Sequence, residues 1–115
     1  MGSDCVFCKI ARGEISAKKV YEDDSIFAFH DIAPEAPIHV LVIPKQHIAT
    51  LNDLTPSHAA LMGEMTVRIA RLARDLGLVD GGYRVVANCG EGAGQVVFHI
   101  HYHLLGGRPM MWPPG

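Results

Sequence analysis

The run Val96-Val97-Phe98-His99-Ile100-His101-Tyr102-His103-Leu104-Leu105 constrains this chain more than any other. Branched and aromatic residues dominate it, which predicts a β-strand over Phe98 to Leu105. Side chains on a strand alternate faces, so His99, His101 and His103 share one side and Ile100, Tyr102 and Leu104 the other. Alternate residues on a strand stand about 6.6–7 Å apart. Three imidazoles thus form a row, backed by residues that favour burial. A solvated face would use Thr, Lys or Glu instead. Such a row suits a metal, for which neutral His is a common ligand. It equally suits nucleophilic catalysis, in which one imidazole attacks while its neighbours set its tautomer and hold the electrophile. The triplet alone does not separate the two.

Its surroundings do. Asn88-Cys89-Gly90-Glu91-Gly92-Ala93-Gly94-Gln95 leads directly into the histidine run. Gly90, Gly92 and Gly94 permit positive φ and close approach of backbone amides to a ligand. Successive amides form a concavity suited to an anion, and Asn88 and Gln95 add side-chain donors at its ends. Beside three histidines the loop reads as a phosphate cradle. Cys89 within it reads as a small filler.

The rest of the chain predicts an α+β fold in a single domain, 1–115. A chain of 115 residues is too short for two domains that each bury a useful core. A short helix is expected over Cys5 to Ala11, stopped by Gly13. Val20–Glu22 and Ser25–Phe29 form a hairpin about Asp23-Asp24, and Ile38–Ile43 is a third strand ended by Pro44. Thr55 and Pro56 mark the start of a long helix. Leu61, Met65, Ile69, Leu72 and Leu76 follow at helical spacing, and Gly77 caps it. Tyr83–Ala87 and the histidine run complete about five strands. His30 at a strand end and His58 in the first helical turn read as solvated or partly exposed. His39 sits opposite Ile38 and Val40 on its strand.

Composition excludes several classes. No stretch approaches 18 consecutive apolar residues, so no membrane span is expected. The start lacks a signal peptide's basic-then-apolar layout, and Val6 breaks the myristoylation pattern that Met1-Gly2 would open. Three cysteines without a secretory signal suit a reducing cytoplasm. Scattered basic residues argue against a nucleic-acid groove. With a net charge of -2, attraction for phosphate must be local. No acidic cluster is present to hold magnesium.

The segment Gly94 to Arg108, with His99-Ile100-His101-Tyr102-His103 at its centre, resembles the signature of the histidine-triad superfamily. Phe27 to Pro34, Pro37 to His47 and the ending Met111-Trp112-Pro113-Pro114-Gly115 resemble its Hint branch. The resemblance implies hydrolysis of purine nucleoside 5′-phosphoramidates, with purine nucleotides (AMP or GMP) as partners. It makes His101 the nucleophile at the α-phosphorus, forming a nucleotidyl-histidine intermediate that water hydrolyses. By the same resemblance His103 contacts phosphate, His39 orients the nucleophile, and His99 completes the catalytic row. Asn88, Gly94, Gln95 and Val96 lie near the phosphate and leaving group, and Asp31 accepts from the ribose hydroxyls. Val6, Phe7 and Ile10, together with Phe29, Ile32 and Leu41, surround the purine. Val96 departs from the Ser that many animal members carry there, which removes a leaving-group donor without touching the nucleophile.

The resemblance further implies a five-stranded antiparallel sheet with one long and one short helix, continued across a homodimer. The Trp112 tail would lie near the partner's site. No catalytic cofactor is implied. Cys5 and Cys8, with His47 and His99, match a structural zinc set found in some bacterial members; free thiols or a redox pair are the other readings of the two cysteines. Two rival functions stand: a dinucleoside polyphosphate hydrolase or nucleotidyl transferase of the same superfamily, and a nucleotide-sensing interaction protein.

Overall fold

A computed structural model describes residues 5–115. Met1 and Gly2, on which the myristoylation argument turned, lie outside the described residues. The core is one antiparallel sheet of five strands: β1 (Lys19–Glu22), β2 (Ile26–His30), β3 (Ile38–Pro44), β4 (Tyr83–Val86) and β5 (Tyr102–Gly106). Their order is β1-β2-β3-β5-β4, so β4 is an edge. The β1–β2 turn is built by Asp23, whose Oδ1 accepts from the amides of Ser25 and Ile26 while its Oδ2 accepts from the Tyr21 hydroxyl.

The two faces of the sheet carry different helices. α2 (Ala59–Asp75) lies behind it. There Met65, Ile69, Leu72 and Ala73 pack with Ile26, Ala28, Val40, Val42 and Leu104. In front, α1 (Val6–Ala11) brings Phe7 and Ile10 against Phe27, Phe29, Leu41 and Ile43. Alternation along β3 decides which residue joins which cluster. His39 and Leu41 face α1, whereas Val40 and Val42 face α2. β5 lies antiparallel with Leu41 opposite His103 and Val40 opposite Leu104, so His103 inherits the front face and Leu104 the rear.

Helix ends differ in one place from the sequence reading. Thr55 and Pro56 open a 3-10 turn, Pro56–His58, before α2 begins at Ala59. The Thr55 amide donates to His58 Nδ1 at 3.0 Å, so His58 is half-buried and closes the turn rather than standing solvated. At the other end Gly77, at φ +75°, takes the left-handed cap. Its amide reaches the Arg74 carbonyl and that of Leu78 the Ala73 carbonyl, satisfying two terminal acceptors.

The histidine strand is also shorter than expected. Pairing begins at Tyr102, not Phe98, because the groups a ladder would need are spent elsewhere. The Ile100 amide donates to the Ile48 carbonyl at 2.6 Å, and the His99 carbonyl accepts from the His101 ring. Residues 96–101 are therefore irregular, yet Ile100 and Leu104 are buried as the alternation requires. No helix among the described residues is long and apolar enough to cross a membrane.

Candidate active site

His39, on β3, anchors a directed chain of hydrogen bonds. Its Nδ1 accepts from the Glu35 amide at 3.0 Å, so the ring proton of neutral His39 sits on Nε2. That nitrogen lies 2.9 Å from His103 Nδ1 and 3.4 Å from Asp31 Oδ2. His103 Nδ1 is accordingly an acceptor, and its own proton resides on Nε2. This Nε2–H is buried with no partner. A buried donor left unpaired costs about 1–3 kcal/mol, so its presence at a site calls for an acceptor brought from outside.

His101 is polarised the opposite way. Its Nδ1 lies 2.8 Å from the His99 carbonyl, which can only accept. The proton is on Nδ1, and Nε2 keeps a bare lone pair. The His101 and His103 ring centres are 5.0 Å apart, so a bare lone pair and a hydrogen-bond donor belong to neighbouring rings. Burial, with His101 and His39 adjacent, pushes His103 down to about 4. Burial also lowers His39, against the opposing pull of Asp31. Both therefore stay neutral at pH 7, as the relay requires.

A cavity of about 450 Å³ opens over these rings, within the range of small-molecule sites. Phe7, Val6 and Ile10 from α1 form one wall, and Phe29 and Leu41 from the sheet form its floor. Asp31 and Ile32 line it as well, with Gly94 and Val96 beside His101 and His103 in the lining. Ile32 is fully exposed and Val96 86% exposed. Sequence reasoning missed Ile15, Ser16 and Ala17, His30, and Val97, which also line the cavity. Only tertiary packing of the α1–β1 connection brings the first three there, and nothing in their local pattern signals it.

Two expected donors are not presented to the cavity. Gln95 is buried, and its amide is consumed by backbone: Oε1 accepts from the Gly90 amide at 2.8 Å, and Nε2 donates to the carbonyls of Ala49 (2.8 Å) and Val97 (3.1 Å). It staples the glycine loop instead of offering a side-chain donor. Asn88 is half-buried and forms no part of the cavity wall. Of the loop glycines, Gly90 (φ +89°) and Gly94 (φ +91°) adopt positive φ, Gly94 in the left-handed helical region, and Gly92 does not.

The third member of the row faces another constellation. His99 is fully buried, and its Nε2 donates to the Pro44 carbonyl at 2.7 Å. Its Nδ1 is then a bare acceptor, 3.4 Å from Cys5 Sγ, 3.5 Å from Cys8 Sγ and 3.2 Å from His47 Nδ1. Cys8 Sγ is 3.3 Å from His47 Nδ1. Zinc–sulfur and zinc–nitrogen bonds of about 2.3 and 2.0–2.1 Å imply tetrahedral edges of about 3.3–3.8 Å. Two thiols and two imidazoles at these spacings fit zinc. Burial and the neighbouring Cys5 push the Cys8 thiol up to about 11, so without a cation it stays protonated. A second trio, Asp31, His39 and His103, also gathers donor atoms, but the hydrogen-bond chain already accounts for them.

Comparison with known proteins gives a consistent answer. The family model described as HIT domain matches residues 12–110. An uncharacterized HIT-like protein of Synechococcus elongatus is 52% identical over 115 residues, with all of both chains covered. A purine nucleoside phosphoramidase of Escherichia coli is 44% identical over 110 residues, covering 96% of this chain and 92% of that protein. Among solved structures, a HIT family hydrolase from Legionella pneumophila superposes with a TM-score of 0.96 at 54% identity, covering 97% of this chain and 100% of its own. Fold, matched residues and relatives together place the chain in the HIT domain family.

Proposed function

We propose that this chain hydrolyses purine nucleoside 5′-phosphoramidates through a nucleotidyl-histidine intermediate at His101. The observation that carries the reading is the pairing of a bare His101 Nε2 with an unpartnered, buried His103 Nε2–H. His101 attacks the α-phosphorus, the phosphorus–nitrogen bond breaks, and the nitrogen leaves as an amine. Val96 offers no hydroxyl beside it, so the amine takes its proton from solvent. Water then attacks phosphorus, releasing the nucleoside monophosphate and free His101. His103 donates to a phosphoryl oxygen throughout, a preorganised stabilisation of developing charge. Asp31 holds the ribose hydroxyls, and the apolar walls take the purine. The identity to a purine nucleoside phosphoramidase supports this substrate class.

Cys5, Cys8, His47 and His99 hold a structural zinc in this reading, which would tie α1 to the strand segment before β5. A second copy covers β4, whose Tyr83 and Val85 are exposed at the sheet edge. The exposed Met111 and Trp112 tail is fixed to that edge by Arg84, which donates to the Met111 carbonyl at 2.8 Å. A monomer in sedimentation at micromolar concentration would overturn the dimer. A reducing cytoplasm suits the three free thiols.

The deciding experiment is hydrolysis of an adenosine 5′-phosphoramidate by wild type and His101→Asn. Turnover should fall at least about 10³-fold in the variant, with AMP binding kept. Equal rates would remove His101 from the chemistry, and an inactive wild type would favour a binding module.

A further inference from the structure

His99 is the one residue shared by the cysteine–histidine cluster and the catalytic row. Both of its ring nitrogens are committed, Nδ1 toward Cys5, Cys8 and His47 and Nε2 to the Pro44 carbonyl. Its ring is fully buried, so it cannot turn without breaking contacts on both edges. Its carbonyl is the acceptor that fixes the His101 proton on Nδ1. That carbonyl sits outside any strand, and its peptide is held from the amide side, where the Ile100 N–H donates to the Ile48 carbonyl at 2.6 Å. The His99 side chain anchors the other side of the same peptide.

We propose that the Cys5–Cys8–His47–His99 cluster, closed around zinc, positions the nucleophile by holding the His99 peptide. The inference rests on the catalytic reading of His101. With His99 released, the peptide keeps only its Ile100 amide anchor, the aim of its carbonyl loosens, and neutral His101 can carry its proton on either nitrogen. With the proton on Nε2, the lone pair facing the cavity is gone, and attack stops while the ring stays where it was. His99 is thus a positioning residue, and the metal cluster acts on chemistry through one peptide group.

His47 allows a clean test, because it is exposed and its loss opens no cavity in the core. Ring nitrogen NMR is recorded on zinc-loaded wild type, His47→Ala and His47→Cys at pH 8, where unperturbed His is neutral. The His101 signals are assigned by their loss in His101→Asn. Wild type should contain stoichiometric zinc and show His101 protonated on Nδ1. His47→Ala should lose zinc, show averaged His101 nitrogens, and lose about tenfold or more in kcat on an adenosine phosphoramidate. His47→Cys, which keeps four donors, should regain both. If His47→Ala does not fold, chelator-stripped wild type takes its place. A folded, zinc-free protein with wild-type His101 signals would overturn the proposal, as would wild type without stoichiometric zinc. A wild type inactive on every phosphoramidate, yet with metal-dependent His101 signals, would support the positioning and overturn the phosphoramidase reading.

Discussion

His39 Nε2 stands 2.9 Å from His103 Nδ1, and this contact decides which nitrogen of His103 carries the proton. The Glu35 amide fixes the direction by occupying the far nitrogen of His39. Replacing His39 by Asn removes the ring that spans the two. His103 then loses its tautomer control, and kcat for an adenosine phosphoramidate should fall by about 10²-fold, as a small misplacement near reacting atoms does. Steady-state kinetics checks this; an unchanged kcat would mean His103 is oriented by something else.

Leu104 is fully buried between β5 and α2, one residue from His103. Leu104→Ala leaves a void that the packed rear face cannot refill. The expected cost is about 2–5 kcal/mol in urea-induced unfolding. A cost under about 1 kcal/mol would mean that the rear cluster collapses readily around the smaller side chain.

Stability should depend on pH with a definite sign. Burial beside His101 and His39 lowers His103 to about 4 in the folded protein, Asp31 opposing, whereas an unfolded His titrates near about 6.5. Below about pH 6.5 the unfolded chain takes up a proton that the folded site refuses, so stability declines as pH falls toward 4 and is complete above 7. The Tm should be lower at pH 5 than at pH 7.5, and His103→Asn should narrow the gap. A gap of the same size in the variant would assign the acid sensitivity to other groups.

Gln95→Ala leaves the Gly90 amide and the Ala49 and Val97 carbonyls without their partner. Unpaired buried groups cost about 1–3 kcal/mol. Hydrogen exchange should therefore quicken at the Gly90 amide, and KM should rise as the loop beside Val96 loosens. Retained protection at Gly90 would show the loop to be held by its own turn.

Much of this was legible because period-two alternation is a direct consequence of strand geometry. Five strands, the two faces of Ile38–Ile43 and the offset between His103 and Leu104 follow from it. The cavity residues Phe7, Phe29, Leu41 and Asp31 came from likeness to a known signature, since scattered apolar residues do not announce a shared wall. The stapling by Gln95 was not legible, because a loop glutamine looks like a donor to ligand until its backbone acceptors are seen. The break before Tyr102 was invisible for a related reason. Val96 to His101 has every propensity for a strand, and only the competing claims of Ile48 and the His101 ring on its peptide groups prevent one. The distant members of the cysteine–histidine cluster carry no spacing that would unite them without the fold.

The one-residue offset along β5 has a consequence for how such a chain is proofread. Were β5 to slip by a single position against β3, the imidazole of His103 would enter the greasy layer over α2 and the isobutyl group of Leu104 would meet the open cavity. Such a molecule would fail to fold before it failed to catalyse. Quality control acting on stability alone therefore screens the placement of the His103 imidazole, and few copies can be stable yet misassembled at this strand.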